Sequence, residues 1–256
     1  MELKGRSVIV TGSSSGIGRA LALEFARHGA NVVCCARREG KLRETAALVR
    51  KEGGCALVVP TDIAERAQVR KMVASTLERF GQIDVLFNNA GSFGSIAGVW
   101  EVDPQVWWHD VTVNLYGALL CIREVLPHMM QRDEGIIINM DGGRPTGGTG
   151  YACSKAGLME LSRVLIQELK TVGSHIVVFN AGPGLVRTEM TVYQAETEAG
   201  RRWIPSTKQC LDAGRVRQPE EIARATIRAV SIARPDLSGL YYGPDTDFSK
   251  LEGKAS

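Results

Sequence analysis

Short apolar runs rich in β-branched residues recur along the chain and alternate with longer amphipathic stretches. Residues 8–10, 31–34 (beyond its leading Asn31), 56–59, 85–87, 136–138 and 176–179 are apolar at successive positions, as strands buried on both faces are. Residues 239–242 form a weaker seventh candidate. Between them, helical spacing runs over residues 17–28, 40–51, 65–80, 104–130, 151–171 and 219–233. Asp103-Pro104 and Gln218-Pro219 put Pro at a first helical position, and Asp62 stands where it would cap the third helix. Strand and helix in repeated alternation predict an α/β fold: a doubly wound, mostly parallel sheet of six or seven strands with helices on both faces. No composition break divides residues 1–256, so one domain is expected. Residues 188–214 lack clean periodicity. A stretch that long inside a compact domain reads as a functional segment, here a lid over a substrate.

Composition narrows the picture only slightly. The 256 residues are 44% hydrophobic and 23% charged, values of an ordinary globular chain. A net charge of +3 is too small to call for a nucleic-acid partner. No run approaches the apolar length of a membrane helix, and the first residues show no secretory h-region. A cytoplasmic chain without membrane association is therefore expected. Its six cysteines then read as reduced thiols, and they form no Cys-x-x-Cys pair. The four histidines (28, 109, 128, 175) have no ligand spacing, so no metal is assigned.

The first strand runs into Thr11-Gly-Ser-Ser-Ser-Gly-Ile-Gly18 and then directly into a helix. Gly12, Gly16 and Gly18 allow a tight turn, and with Ser14, Ser15 and Ile17 they bring backbone N–H groups and a helix N-terminus to a pyrophosphate. The strand before and the helix after are the context this motif requires. At the end of the second strand an acid would bind the adenosine ribose. Here Cys35-Ala36-Arg37-Arg38 contains none. Two guanidinium groups suit a 2′-phosphate in charge and in bidentate geometry, so NADP(H) is expected over NAD(H).

Taken together, Thr11-Gly-x3-Gly-Ile-Gly18, Asn88-Asn-Ala-Gly91, Asn114, Tyr151-x3-Lys155 and Gly182-Pro-Gly184 resemble the short-chain dehydrogenase/reductase family in order and spacing, over about residues 4–243. The resemblance implies a single Rossmann-type domain. It also implies that Asp62, with Ile63 beside it, contacts the adenine, and that Asn89, Ala90 and Gly91 support the sheet beside the cofactor. Beyond Pro183 and Gly184, Val186 and Thr188 would hold the nicotinamide amide. Pairing of the fourth and fifth long helices would make a homodimer or homotetramer.

Tyr151 and Lys155 are four apart on a helix and so share a face. A phenol with a pKa near 10 is a poor base at neutral pH. An ammonium about 4–5 Å away, at an effective dielectric near 20, favours the phenolate by roughly 3–4 kcal/mol. Tyr151 is then expected to donate the proton in carbonyl reduction and to accept it in the reverse reaction. Lys155 would lower that pKa and grip the nicotinamide ribose, while Asn114 would anchor a water leading from Lys155 to solvent.

The family normally places a Ser shortly after the fifth strand to polarise the substrate oxygen. Residues 138–151 contain none and form a shortened loop, with Asp141 and Gly142 where Ser-Ser would stand. Three readings stay open. Thr146 or Thr149 supplies the hydroxyl; a protonated Asp141 donates the hydrogen bond itself; or the chain is a catalytically impaired NADP(H)-binding regulatory protein. The string Asn139-Met-Asp-Gly142 is similar to the matching segment of chlorophyll b reductases, a branch of the same family, which makes an Asp here compatible with carbonyl reduction.

The lid offers Met190, Val192, Tyr193, Trp203, Ile204 and Pro205, with Arg201 and Arg202. Such a lining predicts a medium-sized, partly apolar carbonyl compound or secondary alcohol. Arg144 reads as a solvated side chain, with a substrate anion as the alternative. Trp107 and Trp108 read as packing or subunit-contact residues, and Cys153, on the far side of the helix from Tyr151, as packing.

Overall fold

The computed structural model describes residues 1–252. Seven strands form one parallel sheet: β1 (Ser7–Thr11), β2 (Asn31–Ala36), β3 (Cys55–Pro60), β4 (Val85–Asn88), β5 (Ile136–Met140), β6 (Val177–Ala181) and β7 (Tyr241–Tyr242). Their order is β3-β2-β1-β4-β5-β6-β7, and each neighbouring pair is parallel. The continuous apolar runs follow from burial on both faces. Val8 and Val10 join one core, with Val32, Phe87, Ile138 and Phe179. Ile9 joins the opposite core, with Val33, Leu86, Ile137 and Val178. The helices α1 (Gly16–Arg27), α2 (Glu39–Lys51) and α10 (Pro219–Ser231) close the first face. The second is closed by α3 (Arg66–Phe80), α5 (Gly117–Arg132) and α6 (Thr149–Thr171).

Several expected boundaries shift, each for a local reason. The helix expected over 104–130 is three pieces in one rod: α4 (Pro104–Val111), a π-helical turn at Thr112–Tyr116, then α5. Asp103 caps α4 as expected, accepting from the Gln105 amide at 2.7 Å. Gln218 and Glu221 form a capping box on α10. Asp62 does not cap α3. That helix starts after Glu65, and Asp62 Oδ1 instead accepts from the Ala64 amide. The aperiodic stretch, expected to be a lid, is helical: α7 (Glu189–Glu196), α8 (Glu198–Trp203) and α9 (Pro205–Asp212). Thr188 caps α7 and Thr197 caps α8. Six or eight residues are too few for a helical period to show in the apolar pattern. A four-residue helix, α11 (Ser249–Glu252), ends the described chain.

The order of the strands reverses between β1 and β4, and a crevice at that switch point is where doubly wound sheets bind ligands. A buried polar chain fixes α6 relative to this crevice. Asn88 Nδ2 donates to Asn139 Oδ1 (2.9 Å), Asn139 Nδ2 donates to Ser162 Oγ (2.8 Å), and Ser162 Oγ donates to the Leu158 carbonyl (3.0 Å). The chain links β4 to β5 and β5 to the helix that carries Tyr151. Replacing Asn139 with Ala leaves Asn88 and Ser162 without this partner in a buried site. The expected cost is about 1–3 kcal/mol, seen in urea unfolding as a lower midpoint at unchanged slope.

Candidate active site

The crevice holds a cavity of about 610 Å³. Every residue assigned above to the dinucleotide lines it: Gly12, Ser14, Ser15, Gly16, Ile17, Gly18, Arg37, Arg38, Asp62, Ile63, Asn89, Ala90, Gly91, Tyr151, Lys155, Pro183, Gly184, Val186 and Thr188. Asp141 lines it as well; Asn114 does not. The glycine loop turns tightly against its surroundings. A Cβ on Gly18 would collide with the Gly12 carbonyl, so only glycine lets the helix start there. No side chain caps the first turn of α1 and no acid lies in it, which leaves its N-terminal amides to an anion. Ala36 ends β2 without a carboxylate, and Arg38 Nη2 donates to Ser15 Oγ (2.9 Å) and Ser14 Oγ (3.3 Å). This donor set fits the phosphates of a dinucleotide.

At the other end of the cavity, Tyr151 stacks on Phe93, with ring centroids 4.5 Å apart and planes 14° from parallel. Asp110, wholly buried, builds the turn that carries Phe93. It accepts from Ser92 Oγ (2.6 Å), the Gly94 amide (3.0 Å) and the Ser95 amide (2.9 Å). Asn114 holds the same turn from the π-helical segment. Its Oδ1 accepts from the Ser92 amide (2.7 Å), and its Nδ2 donates to the Ser92 carbonyl (2.8 Å) and to Ser154 Oγ (3.0 Å). The amide side chain is thus engaged in structure, so a water anchor at Asn114 has to use its backbone. Phe93 and Asp110 were not legible as site residues, because neither belongs to a chemical motif.

Lys155 is fully buried, and its Nζ donates to the Met140 carbonyl at 2.7 Å. Nζ lies 5.8 Å from the centre of the Tyr151 ring. Burial brings Lys155 down to about 8, with Asp141 acting upward. The Tyr151 phenol moves the opposite way from the expectation. Burial first, and then the charge of Asp141, push it above its ordinary value. In the ligand-free chain the lysine therefore does not make this phenol acidic.

Asp141 is the unusual element. Arg144 Nη2 stands 2.9 Å from its Oδ1, and the Tyr241 hydroxyl donates to its Oδ2 at 3.2 Å. A carboxylate flanked by a guanidinium and a hydroxyl is arranged as an acceptor, which disfavours its reading as the donor to a substrate oxygen. Arg144 is accordingly an ion-pair partner rather than a solvated side chain. Tyr241, from the far edge of the sheet, carries only the signal of the weak seventh strand in the sequence and none of a site residue. A Cβ on Gly142 would fall on the Tyr151 hydroxyl, so the phenol occupies the space a serine at 142 would need. The two threonines do not fill the role. Thr146 and Thr149 line a separate cavity of about 290 Å³ beside Trp100 and Trp203, and Thr149 Oγ1 accepts from Trp107 Nε1 at 3.1 Å.

The 188–214 segment contributes Thr188, Glu189, Met190, Thr191, Gln194 and Thr207 to the cavity. Trp203 and Ile204 pack with Phe93 and Tyr151 in a small apolar cluster. Val192, Tyr193 and Pro205 do not line the cavity, and Tyr193 is exposed. Arg202 lies over the Trp203 ring, and Arg201 donates to the Glu196 carbonyl. Cys153 is exposed rather than packed. Trp107 is partly buried and Trp108 is 62% exposed. Among the described residues no group of three or more His, Cys, Asp or Glu could hold a metal, and no helix is long and apolar enough to cross a membrane.

The burial of Lys155 has a thermodynamic consequence. Its folded-state pKa, about 8, lies below the ordinary lysine value of 10.5, so between these values the unfolded chain binds more protons and stability rises with pH. Lys155→Met removes that contribution. Relative to the variant, the wild-type chain should gain a few kcal/mol of unfolding free energy between about pH 8 and 10.5, measured by urea titration at each pH.

Comparisons with known proteins bear on the same arrangement. Residues 6–199 match the family model for short chain dehydrogenases. An NADPH-dependent pterin aldehyde reductase of Arabidopsis thaliana is 33% identical over 189 residues, which cover 72% of this chain and 76% of that protein. A short-chain dehydrogenase/reductase of Burkholderia phymatum, crystallised with NAD, superimposes with a TM-score of 0.83 at 26% identity, covering 98% of this chain and 93% of that one. A single-residue variant of actinorhodin polyketide ketoreductase, crystallised with NADPH, also gives 0.83, at 30% identity over 93% of this chain and 95% of its own. With the glycine loop, the Tyr-x3-Lys helix and the parallel sheet in one crevice, the chain belongs to the short-chain dehydrogenase/reductase family and is an oxidoreductase of that family.

Proposed function

We propose that this chain is an NADPH-dependent reductase of a medium-sized, partly apolar carbonyl compound, able to run in reverse on the secondary alcohol. The observation that carries the cofactor choice is Arg38: it stands just past an acid-free β2 and hydrogen-bonds the serines of the glycine loop. Similar proteins include one crystallised with NAD and one with NADPH, so the choice rests on this side chain rather than on likeness. Bound, the reduced dinucleotide supplies the hydride for the carbonyl carbon. Tyr151 delivers the proton to the carbonyl oxygen from its hydroxyl, and a phenol kept protonated by its surroundings is the form that reduction needs. Phe93 holds its ring in place. Lys155, on the Met140 carbonyl, is placed to grip the ribose, and Asn114 acts through the turn at Ser92 as a positioning residue. Asp141, held by Arg144 and Tyr241, sets the electrostatic environment of the phenol. Met190, Leu185 and Phe93 supply an apolar wall for the substrate. A homodimer or homotetramer formed through α4, α5 and α6 is part of this reading. It is supported by the exposed Trp108, Tyr116, Leu119 and Val164 on those helices and the turn between α4 and α5.

NADPH oxidation followed against a panel of aldehydes and ketones tests the reading. Turnover is expected for partly apolar carbonyls. Tyr151→Phe should lower it by roughly two to four orders of magnitude with NADPH binding retained. Arg38→Ala should weaken NADPH binding by about tenfold or more and leave NADH nearly unchanged. Tight NADPH binding with no turnover on any carbonyl would instead support the regulatory protein considered from the sequence. The rate of reduction should also carry the mark of Asp141. Removing its charge lowers the Tyr151 pKa, so Asp141→Asn should move the alkaline limb of the pH–rate profile to lower pH. An unmoved limb would take Asp141 out of the proton chemistry.

A further inference from the structure

The first residue of α7 reaches away from its own helix. Glu189 Oε2 lies 3.0 Å from Arg38 Nη1 and accepts from Ser15 Oγ at 3.4 Å. An acid in a first helical turn ordinarily serves the N-terminal amides of its own helix. Here Thr188 caps those amides, and the carboxylate crosses the cavity mouth to the glycine loop. The two donors converging on Oε2 are a guanidinium and a hydroxyl, the groups that a phosphate oxygen would use. Behind it, the Thr188 methyl packs directly over Gly16, so α7 lies against the loop rather than above open space.

We propose that Glu189 is a resident carboxylate on the phosphate-binding groups, displaced by the 2′-phosphate of the incoming nucleotide, and that this exchange frees the lid at α7. The inference rests on the NADP(H) reading and deepens it by naming a residue that sets cofactor affinity and couples it to the lid. A 2′-phosphate seated on the same guanidinium edge and loop hydroxyl would bring its charge against that of Glu189, and the like charges repel, so the phosphate is favoured when the carboxylate leaves. A nucleotide lacking the 2′-phosphate has nothing to offer Arg38 in exchange and leaves the bridge in place. Both side chains are more than half-way to solvent or at it, Arg38 at 50% and Glu189 at 63% exposure, so the bridge is weak enough to open readily and is sensitive to salt. The same lid carries Met190, Thr191 and Gln194 into the cavity, so its release at the nucleotide end reaches the substrate end.

Calorimetric titration of adenosine 2′,5′-bisphosphate and adenosine 5′-phosphate into wild type and Glu189→Gln, at low and high salt, tests this without turnover. Glu189→Gln should bind the bisphosphate about three- to fivefold more tightly than wild type, with less than twofold change for the monophosphate, and the gain should shrink at high salt. A preference for the bisphosphate that is equal in wild type and variant overturns the role of Glu189 and leaves the NADP(H) reading standing. Equal binding of the two probes by Glu189→Gln overturns the NADP(H) reading itself. Hydrogen exchange reads the lid. In wild type, the bisphosphate should speed exchange across residues 189–196 and the monophosphate should not; no difference between the two overturns the coupling.

Discussion

Tyr151 and Lys155 sit one helical turn apart in the same buried wall, and burial opposes the charged form of both. It raises the phenol and lowers the ammonium, to about 8 for the lysine. The rest of the site is organised around this fact. Lysine keeps a partner in the Met140 carbonyl, and the phenol keeps its proton between the Phe93 ring and the Gly142 backbone. A carboxylate one strand-end away adds its charge on the side that raises both groups. In the proposed reduction, a phenol that keeps its proton serves as the donor. An ionised lysine alone would have set the site for proton removal.

Holding two such groups in a wall requires rigidity behind them, and the fold provides it by polar links that cross between elements. The Asn88–Asn139–Ser162 chain ties α6 to the middle of the sheet. The π-helical turn brings Asn114 to the Ser92 turn and Ser154, while Asp110 of α4 gathers the amides and hydroxyls that place Phe93. A regular helix over residues 104–130 would carry the two residues at a different relative angle. The departure from regular geometry falls where the positioning side chains are.

The parts legible in the sequence are those whose signal is local. Gly12 to Gly18, Arg38 and the Tyr151–Lys155 pair each declare themselves within a few residues, and the strands do so through unbroken apolar runs. What stayed hidden depends on distant partners or on very short elements. Asp141 could be seen as an anomaly, but its acceptor role follows from Tyr241, a hundred residues further along the chain. Phe93 looks like any apolar residue until Tyr151 is stacked on it. The lid helices are each at most eight residues long, and only Thr188 and Thr197, as caps, hint at them. Lys155 would acidify Tyr151 in an exposed pair; burial of both groups reverses this, and a linear pattern does not reveal burial.

The most direct test is the ionisation of the Tyr151 hydroxyl in the ligand-free protein. It is obtained from the ultraviolet phenolate difference spectrum of wild type minus Tyr151→Phe across pH, repeated on an Asp141→Asn background. The account predicts a transition above the ordinary tyrosine value of about 10 that moves downward when the Asp141 charge is removed. A transition at or below that value with Asp141 in place would contradict it.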